Sequence, residues 1–267
     1  MQDTQIEIGQ DGPVRTLTLN RPQALNAFTT GMLGELRTAL QDAAADGTVR
    51  SLVITGAGRA FCAGQDLSDP AIKPGFEPGD QPKDIGALLD DFYIPMALQL
   101  RAMPIPVIAA VNGVAAGAGA SLALGCDLVL AGSSASFIQA FSKIGLIPDC
   151  GGTWLLPRLV GRAKALELAL LGDKLPAEQA QALGLIYRCV ADAELAASAQ
   201  ALAQKLALMP VRAMAETRRA MDQAMQLDFE DALRMEAVMQ GQLGRSADYL
   251  EGAGAFLQKR KPTFTDR

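Results

Sequence analysis

Apolar residues along this chain follow two rhythms. Leu52-Val53-Ile54-Thr55-Gly56, Val107 to Val111 and Leu128-Val129-Leu130-Ala131 are apolar without alternation, which predicts strands buried on both faces. Residues 5–9 and 14–19 predict two strands around a turn at Asp11-Gly12, and Asn20-Arg21-Pro22 breaks the second. Helical periodicity fills the intervals. Thr29 or Thr30 caps a helix to about Ala45, with Leu33, Leu36 and Leu40 on one face. A second helix runs from about 85 to 102, ahead of Pro104 and Pro106, and a third lies around 120–125. Strands alternating with helices predict an α/β layer with parallel pairing. Residues 69–84 are rich in Pro, Gly and Asp and predict a flexible surface loop able to order over a ligand. From about Ala163 helices dominate, at roughly 163–171, 176–182, 192–208, 210–225, 229–243 and 246–258. There Leu233, Ala237 and Met239 predict packing faces, of the kind that seat one subunit on another.

Composition narrows the function. A chain of 267 residues with 49% hydrophobic content suits one larger domain with a smaller appendage. Its net charge of −5 argues against a nucleic-acid partner. No apolar run is long enough for a bilayer, and the polar, acidic start resembles neither a signal nor a transit peptide. A cytoplasmic protein without a membrane partner is the expectation. Cys62, Cys126, Cys150 and Cys189 show no paired spacing and read as reduced thiols. The sequence contains no histidine, so proton transfer falls to Asp, Glu, Tyr, Lys or Cys.

Two segments carry candidate chemistry: Phe61-Cys62-Ala63-Gly64-Gln65-Asp66-Leu67, and Asn112 to Asp127 (NGVAAGAGASLALGCD). Both put small residues where a backbone would approach a ligand. One N–H from each loop could converge on an oxygen that gains negative charge. The bland alternative is that Gly117 and Gly119 merely permit close helix–strand packing.

The order of several motifs resembles the crotonase family, also called the enoyl-CoA hydratase/isomerase family. They are Asn20-Arg21-Pro22-Gln23-Ala24-Leu25-Asn26-Ala27, the two segments above, Gly145-Leu146-Ile147-Pro148-Asp149-Cys150-Gly151-Gly152-Thr153, Leu156-Pro157-Arg158 through Gly161, Ala180 to Leu185, and the basic C-terminal end with Pro262 and Phe264. The resemblance implies ββα units wound into a spiral over 1–195, then a helical trimerisation region over 196–267. It implies a homotrimer or a dimer of trimers. It implies an acyl-CoA thioester as substrate, with coenzyme A as part of that substrate, no other cofactor and no metal. The two oxyanion-hole amides map to Gln65 and Ala118.

The chain departs from the family's hydratases at both glutamates that hold water. Ser121 and Phe141 stand at those positions. Asp149 remains as the acid of a site resembling that of family isomerases, and Phe141, Ile144 and Trp154 are candidates for an apolar pocket around it. An N-cap is the competing role for Asp149. Residues 139–165 look most like members that turn the 1,2-epoxide of phenylacetyl-CoA into a seven-membered oxepin-CoA in phenylacetate degradation. A double-bond shift in an enoyl- or dienoyl-CoA rests on the same residues. The motif order also admits a hydratase, or a catalytically inactive assembly subunit. Arg21, Arg59, Lys259-Arg260-Lys261 and Phe256 are candidates for CoA contacts. Ala24, Ala63 and Gln65 would lie near the adenine. Asp66 and Leu67 continue that loop as further candidates for CoA or substrate contacts, and Asp66 also reads as a turn-ordering residue.

Overall fold

The computed structural model describes residues 4–72 and 83–267. Most of the loop expected at 69–84 therefore lies outside the described residues. The chain begins with the hairpin β1 (Ile6–Asp11) and β2 (Val14–Leu19), helix α1 (Thr30–Ala45), and strands β3 (Ser51–Gly56) and β4 (Ala60–Cys62). Helices α2 (Ile85–Leu88) and α3 (Ile94–Arg101) follow, joined by a π turn, Leu89–Tyr93. Next come β5 (Val107–Val111), β6 (Val114–Ala116), α4 (Ala118–Leu124), β7 (Leu128–Gly132) and β8 (Ser136–Ile138). The rest is α5 (Gly152–Leu171), β9 (Leu175–Pro176), α6 (Ala177–Ala182), β10 (Arg188–Val190), α7 (Leu195–Ala207), α8 (Val211–Ala224), α9 (Phe229–Leu243) and α10 (Ala247–Leu257).

The pairs β3/β4, β5/β6 and β7/β8 each send one strand to each of two sheets. The larger sheet has the order β1-β2-β3-β5-β7-β10 and the smaller β4-β6-β8-β9. From β2 to β10 the larger sheet is parallel, and so are β4, β6 and β8. A parallel sheet must be covered on both faces, which explains the unbroken apolar runs. The pleat divides those runs. Leu52, Ile54, Val107, Ala109, Val111 and Ala131 face the main core with α1 and α3. Val14, Val53, Ile108, Ala110 and Leu130 face the other way, under Leu195, Ala199, Ala203 and Ala207 of α7. Helix α7 thus seals the outer face of the large sheet.

Local chemistry sets the helix starts. Thr29 Oγ1 accepts from Met32 N at 3.1 Å, and Met32, Leu33, Leu36, Leu40 and Ala43 form the buried stripe of α1. Asp228 and Ser246 cap α9 and α10 in the same way. Asp69, at the start of the expected loop, is buried and fixed: its Oδ2 accepts from Thr30 N at 2.7 Å.

The structure corrects several expectations. Helix α5 is two helical stretches parted at Gly161 (φ 74°, ψ 160°): the second, ending at Leu171, is the helix expected at 163–171, and the first, from Gly152 through Pro157, was not expected. The expected helix at 85–102 is interrupted by the π turn. Met239 is buried, while Leu233 and Ala237 are exposed in the protomer, which does not contradict packing on another subunit. No helix among the described residues is long and apolar enough to cross a membrane.

Parallel pairing of β4 with β6 (Ala60↔Val114, Cys62↔Ala115) sets their carboxyl ends side by side. It requires α4 to lie hard against β4. A Cβ on Gly119 would stand 2.5 Å from Cys62 O and 2.8 Å from Cys62 Sγ. Gly119→Ala should therefore destabilise the fold by about 1–3 kcal/mol, the usual range for overpacking. Urea unfolding checks this, and an unchanged midpoint would mean that the contact can relax.

Candidate functional site

The segments that follow β4 and β6 meet at the ends of those strands. Gly64 has φ 94°, and a Cβ there would stand 2.9 Å from Ala116 O and 3.7 Å from Ala118 N. Gly117, the N-cap of α4, has φ 50° and ψ −127°, a conformation closed to most L-residues. The two explanations for the glycines therefore divide between neighbours. Gly119 is needed for close packing, and Gly117 for the backbone turn that starts α4.

This geometry leaves two amides free. Phe28 N donates to Gly64 O at 2.7 Å, and Asp66 N donates to Phe28 O at 2.8 Å. In such a parallel bridge the residue between, Gln65, turns its own N–H to the opposite side. Ala118 is the first residue of α4, so its N–H has no partner within the helix. Gly117 N beside it is already spent on Ile138 O at 2.9 Å. Among the described residues neither the Gln65 nor the Ala118 amide has a hydrogen-bond acceptor.

A cavity of about 720 Å³ lies between the π turn, α3, α4, α5 and α8, and Asp149, Ser121 and Tyr93 help to line it. Its walls are mostly apolar: Leu89, Leu122, Ile147, Leu155 and Met221 are among them. Gln65 and Ala118 adjoin this space without lining it. Tyr93 Oη donates to Gln65 Oε1 at 2.6 Å, and Ser121 N donates to Gly117 O at 3.1 Å.

Asp149 does not cap α5; Gly151 holds that position and no side chain caps it. Asp149 Oδ1 is buried and has no hydrogen-bond partner. Burial pushes the carboxyl from 3.8 up to about 6, against a smaller downward pull from its own backbone amide. Two more polar atoms stand close by without partners, Ser121 Oγ and Gln139 Oε1. They lie 2.9 Å and 3.9 Å from the point where a Cβ on Gly152 would sit. The arrangement offers a base near neutrality, an apolar space, and two amides suited to a developing oxyanion.

The Enoyl-CoA hydratase/isomerase family profile matches residues 9–267. This chain belongs to the enoyl-CoA hydratase/isomerase family. It is 52% identical to the 1,2-epoxyphenylacetyl-CoA isomerase of Escherichia coli K12, over 95% of each chain. It is 36% identical to the 2,3-dehydroadipyl-CoA hydratase of the same organism, covering 99% of this chain and 100% of that one. The solved enoyl-CoA hydratase of Bacillus anthracis superposes with a TM-score of 0.90 at 31% identity, covering 99% of this chain and 100% of the other. The crotonase-type spiral expected from the motifs is the fold observed.

Within this family fold the remaining candidate residues fall into three groups. Ser121 and Trp154 line the cavity. The Trp154 ring is stacked between Arg101 and Arg158, at 4.2 Å and 4.1 Å, and Arg101 also pairs with Asp222 at 3.0 Å. Phe141 is buried behind the site, with ring atoms 3.7 Å from where a Gly117 Cβ would be. Ile144 is 53% exposed and lies outside the cavity wall, which corrects its expected place there.

The second group forms the loop support. Ala63 N donates to Leu25 O at 3.0 Å, bringing Ala24 and Ala63 to one edge. Arg21 is not a free cation. Its guanidinium pairs with Asp66 Oδ2 at 2.9 Å and donates to Ala27 O. Asp66 also accepts from Ser68 N and Oγ. Burial raises its pKa, but the Ser68 bonds and Arg21 outweigh this and hold it below the ordinary value. Asp66 is thus a turn-ordering residue, as expected, and Arg21 is committed to it. Sequence reading missed Asn26, which is fully buried: its Oδ1 accepts from Arg21 N, and its Nδ2 donates to Ala57 O and Ala60 O. Cys62 sits inside this support, and burial pushes its thiol up to about 12, so it stays protonated.

Arg59, Leu67, Phe256 and Lys259 form the third group, all exposed. Phe256 and Lys259 lie at the end of α10, and neither lines the cavity within one protomer.

The Asp149 pKa has a consequence for stability. Between about pH 4 and 6 the folded state holds a proton that the unfolded chain has lost, so stability falls as pH rises through that window. The full penalty, about 3 kcal/mol, is present above pH 6 or so. Asp149→Asn removes it. Urea unfolding of both proteins should show the variant gaining on the wild type between about pH 4 and pH 7. A stability difference that is flat with pH would contradict the raised pKa.

Proposed function

We propose that this chain is an acyl-CoA isomerase that moves one proton through Asp149 while an enolate oxygen rests on the amides of Gln65 and Ala118. The observation that carries this is the unpaired carboxyl: of the three that line the cavity among the described residues, Asp127 and Asp222 are paired with Arg218 and Arg101, and Asp149 is not. Its Oδ1 is buried in a mostly apolar cavity without a cation on it, and the two positions where family hydratases carry glutamates hold Ser121 and Phe141. A single base suffices for isomerisation, because the same group can return the proton that it removed.

The first step breaks the bond from Cα to its hydrogen. The proton passes to the Asp149 carboxylate, and the electron pair delocalises onto the thioester oxygen. In the second step that pair flows back and the proton is delivered to the γ-carbon, leaving an α,β double bond. An arene 1,2-epoxide and its oxepin are valence tautomers that interconvert without acid or base. Moving a proton from the side-chain Cα to the ring carbon then locks the seven-membered ring. Epoxide isomerisation and double-bond shift are therefore the same proton relay, which explains why one set of residues supports both. The similarity to the 1,2-epoxyphenylacetyl-CoA isomerase makes that epoxide the preferred substrate. Proton transfer of this kind needs no metal and no redox cofactor.

Coenzyme A enters past the edge formed by Ala24 and Ala63, with Arg59 available for a phosphate. Phe256 and Lys259 serve the CoA of a neighbouring subunit. Large apolar residues exposed on α8 to α10, among them Met221 at 64%, Phe229 at 79% and Leu250 at 66%, support a homotrimer or a dimer of trimers. Sedimentation should give a mass of three or six chains, and a monomer would contradict this.

The central test is spectral assay with the epoxide of phenylacetyl-CoA. Turnover should rise with pH through about 6 and then level off, since the base must be ionised. Asp149→Asn should lose roughly 10²–10⁴-fold in kcat. Hydration of crotonyl-CoA should be negligible beside it. Undiminished activity in the variant would refute the proton shuttle. A wild type inert to every CoA ester would favour the assembly-subunit reading.

A further inference from the structure

The segment that bears Tyr93 departs from regular helix. Residues Leu89–Tyr93 form a π turn between α2 and α3. Such an insertion rotates every later side chain about the helix axis, and π turns collect at functional sites. Here it brings a phenol into the main core at 1% exposure, with the ring edge-on to Phe28 at 6.1 Å and 77°. Phe28 is the residue whose backbone holds the Gln65 loop on both sides.

The Tyr93 hydroxyl completes that grip. Oη donates to Gln65 Oε1 at 2.6 Å, and Gln65 Nε2 reaches Asp66 O at 3.4 Å. The Gln65 side chain is thus tied at its oxygen and at its nitrogen, one tie coming from a residue that lines the cavity. Burial first, and the nearby Asp149 charge second, raise the phenol pKa well above its usual value, so Tyr93 remains a donor across the working pH range. Its one proton goes to Gln65, which fixes the direction of the bond.

We propose that Tyr93 is a positioning residue for the oxyanion amide: by holding the Gln65 side chain it steadies the Gln65 N–H in the direction that the Phe28 bridge gives it. This rests on the thioester site described above. It adds a link that ties the shape of the helix 85–101 to the polarising power of a loop nearly thirty residues earlier.

The test uses Tyr93→Phe, which keeps the ring against Phe28 and removes the hydroxyl, and Gln65→Ala, which keeps the amide and removes the acceptor. A conjugated aryl-enoyl-CoA is the probe, because polarising its carbonyl moves its absorption to longer wavelength. The wild type should red-shift the bound probe. Both variants should shrink that shift and lower kcat by roughly 10–100-fold, with KM changed far less. The double variant should be no worse than either single one, since both break the same link. Wild-type shift and kcat in both variants would overturn the positioning role and leave the thioester site intact. Additive losses in the double variant would overturn it as well. Absence of any shift with the wild type would overturn the thioester site, and this inference with it.

Discussion

The structure turns on one contact: the side-by-side carboxyl ends of two three-residue parallel strands, β4 and β6. Their pairing brings the loop after Cys62 against the loop after Ala116. The approach is possible because Gly64, Gly117 and Gly119 carry no Cβ at the points where backbone or sulfur already stands or where φ is positive. The rest of the fold secures this junction. The large sheet fixes where each repeat begins, α1 and α7 cover its faces, and Asn26 fastens the first loop to Ala57 and Ala60.

Beside that junction the chain keeps a carboxyl that it does not stabilise. A helix N-cap was the obvious use for Asp149, and the structure leaves the cap to Gly151. One carboxyl oxygen, Oδ1, is buried without a partner, and the fold bears the cost of ionising the group near neutrality. A group that opposes stability in this way is poised to take a proton. The hydratase route would require a second carboxylate, and Phe141 instead presses its ring on the Gly117 turn.

Much of this was legible in the sequence. Unalternating runs marked β3, β5 and β7 because both faces of a parallel sheet are covered. Thr29 marked the start of α1 because its hydroxyl satisfies a free amide there. The two glycine-bearing loops announced a close backbone approach, and the motif order announced the fold. What stayed hidden was short or long-range. Strands β4, β6 and β8 have three residues each, too few to display a period, yet the candidate site is built on them. The first half of α5 was masked by Pro157, which the helix accommodates, whereas the break that Gly161 signals is present in the structure. The Arg21–Asp66 pair and the Tyr93–Gln65 bond join residues 45 and 28 positions apart, and no local pattern reveals either.

Hydrogen exchange at the substrate's α-carbon probes the combined action of amides and carboxyl most directly. Phenylacetyl-CoA has an acidic α-CH2 but no epoxide to rearrange. Incubated with the protein in D2O and followed by proton NMR, it should lose its α-CH2 signal with the wild type and retain it with Asp149→Asn. Exchange at the same rate in both proteins, or none with a wild type that turns over the epoxide, would contradict an enolate formed by this aspartate.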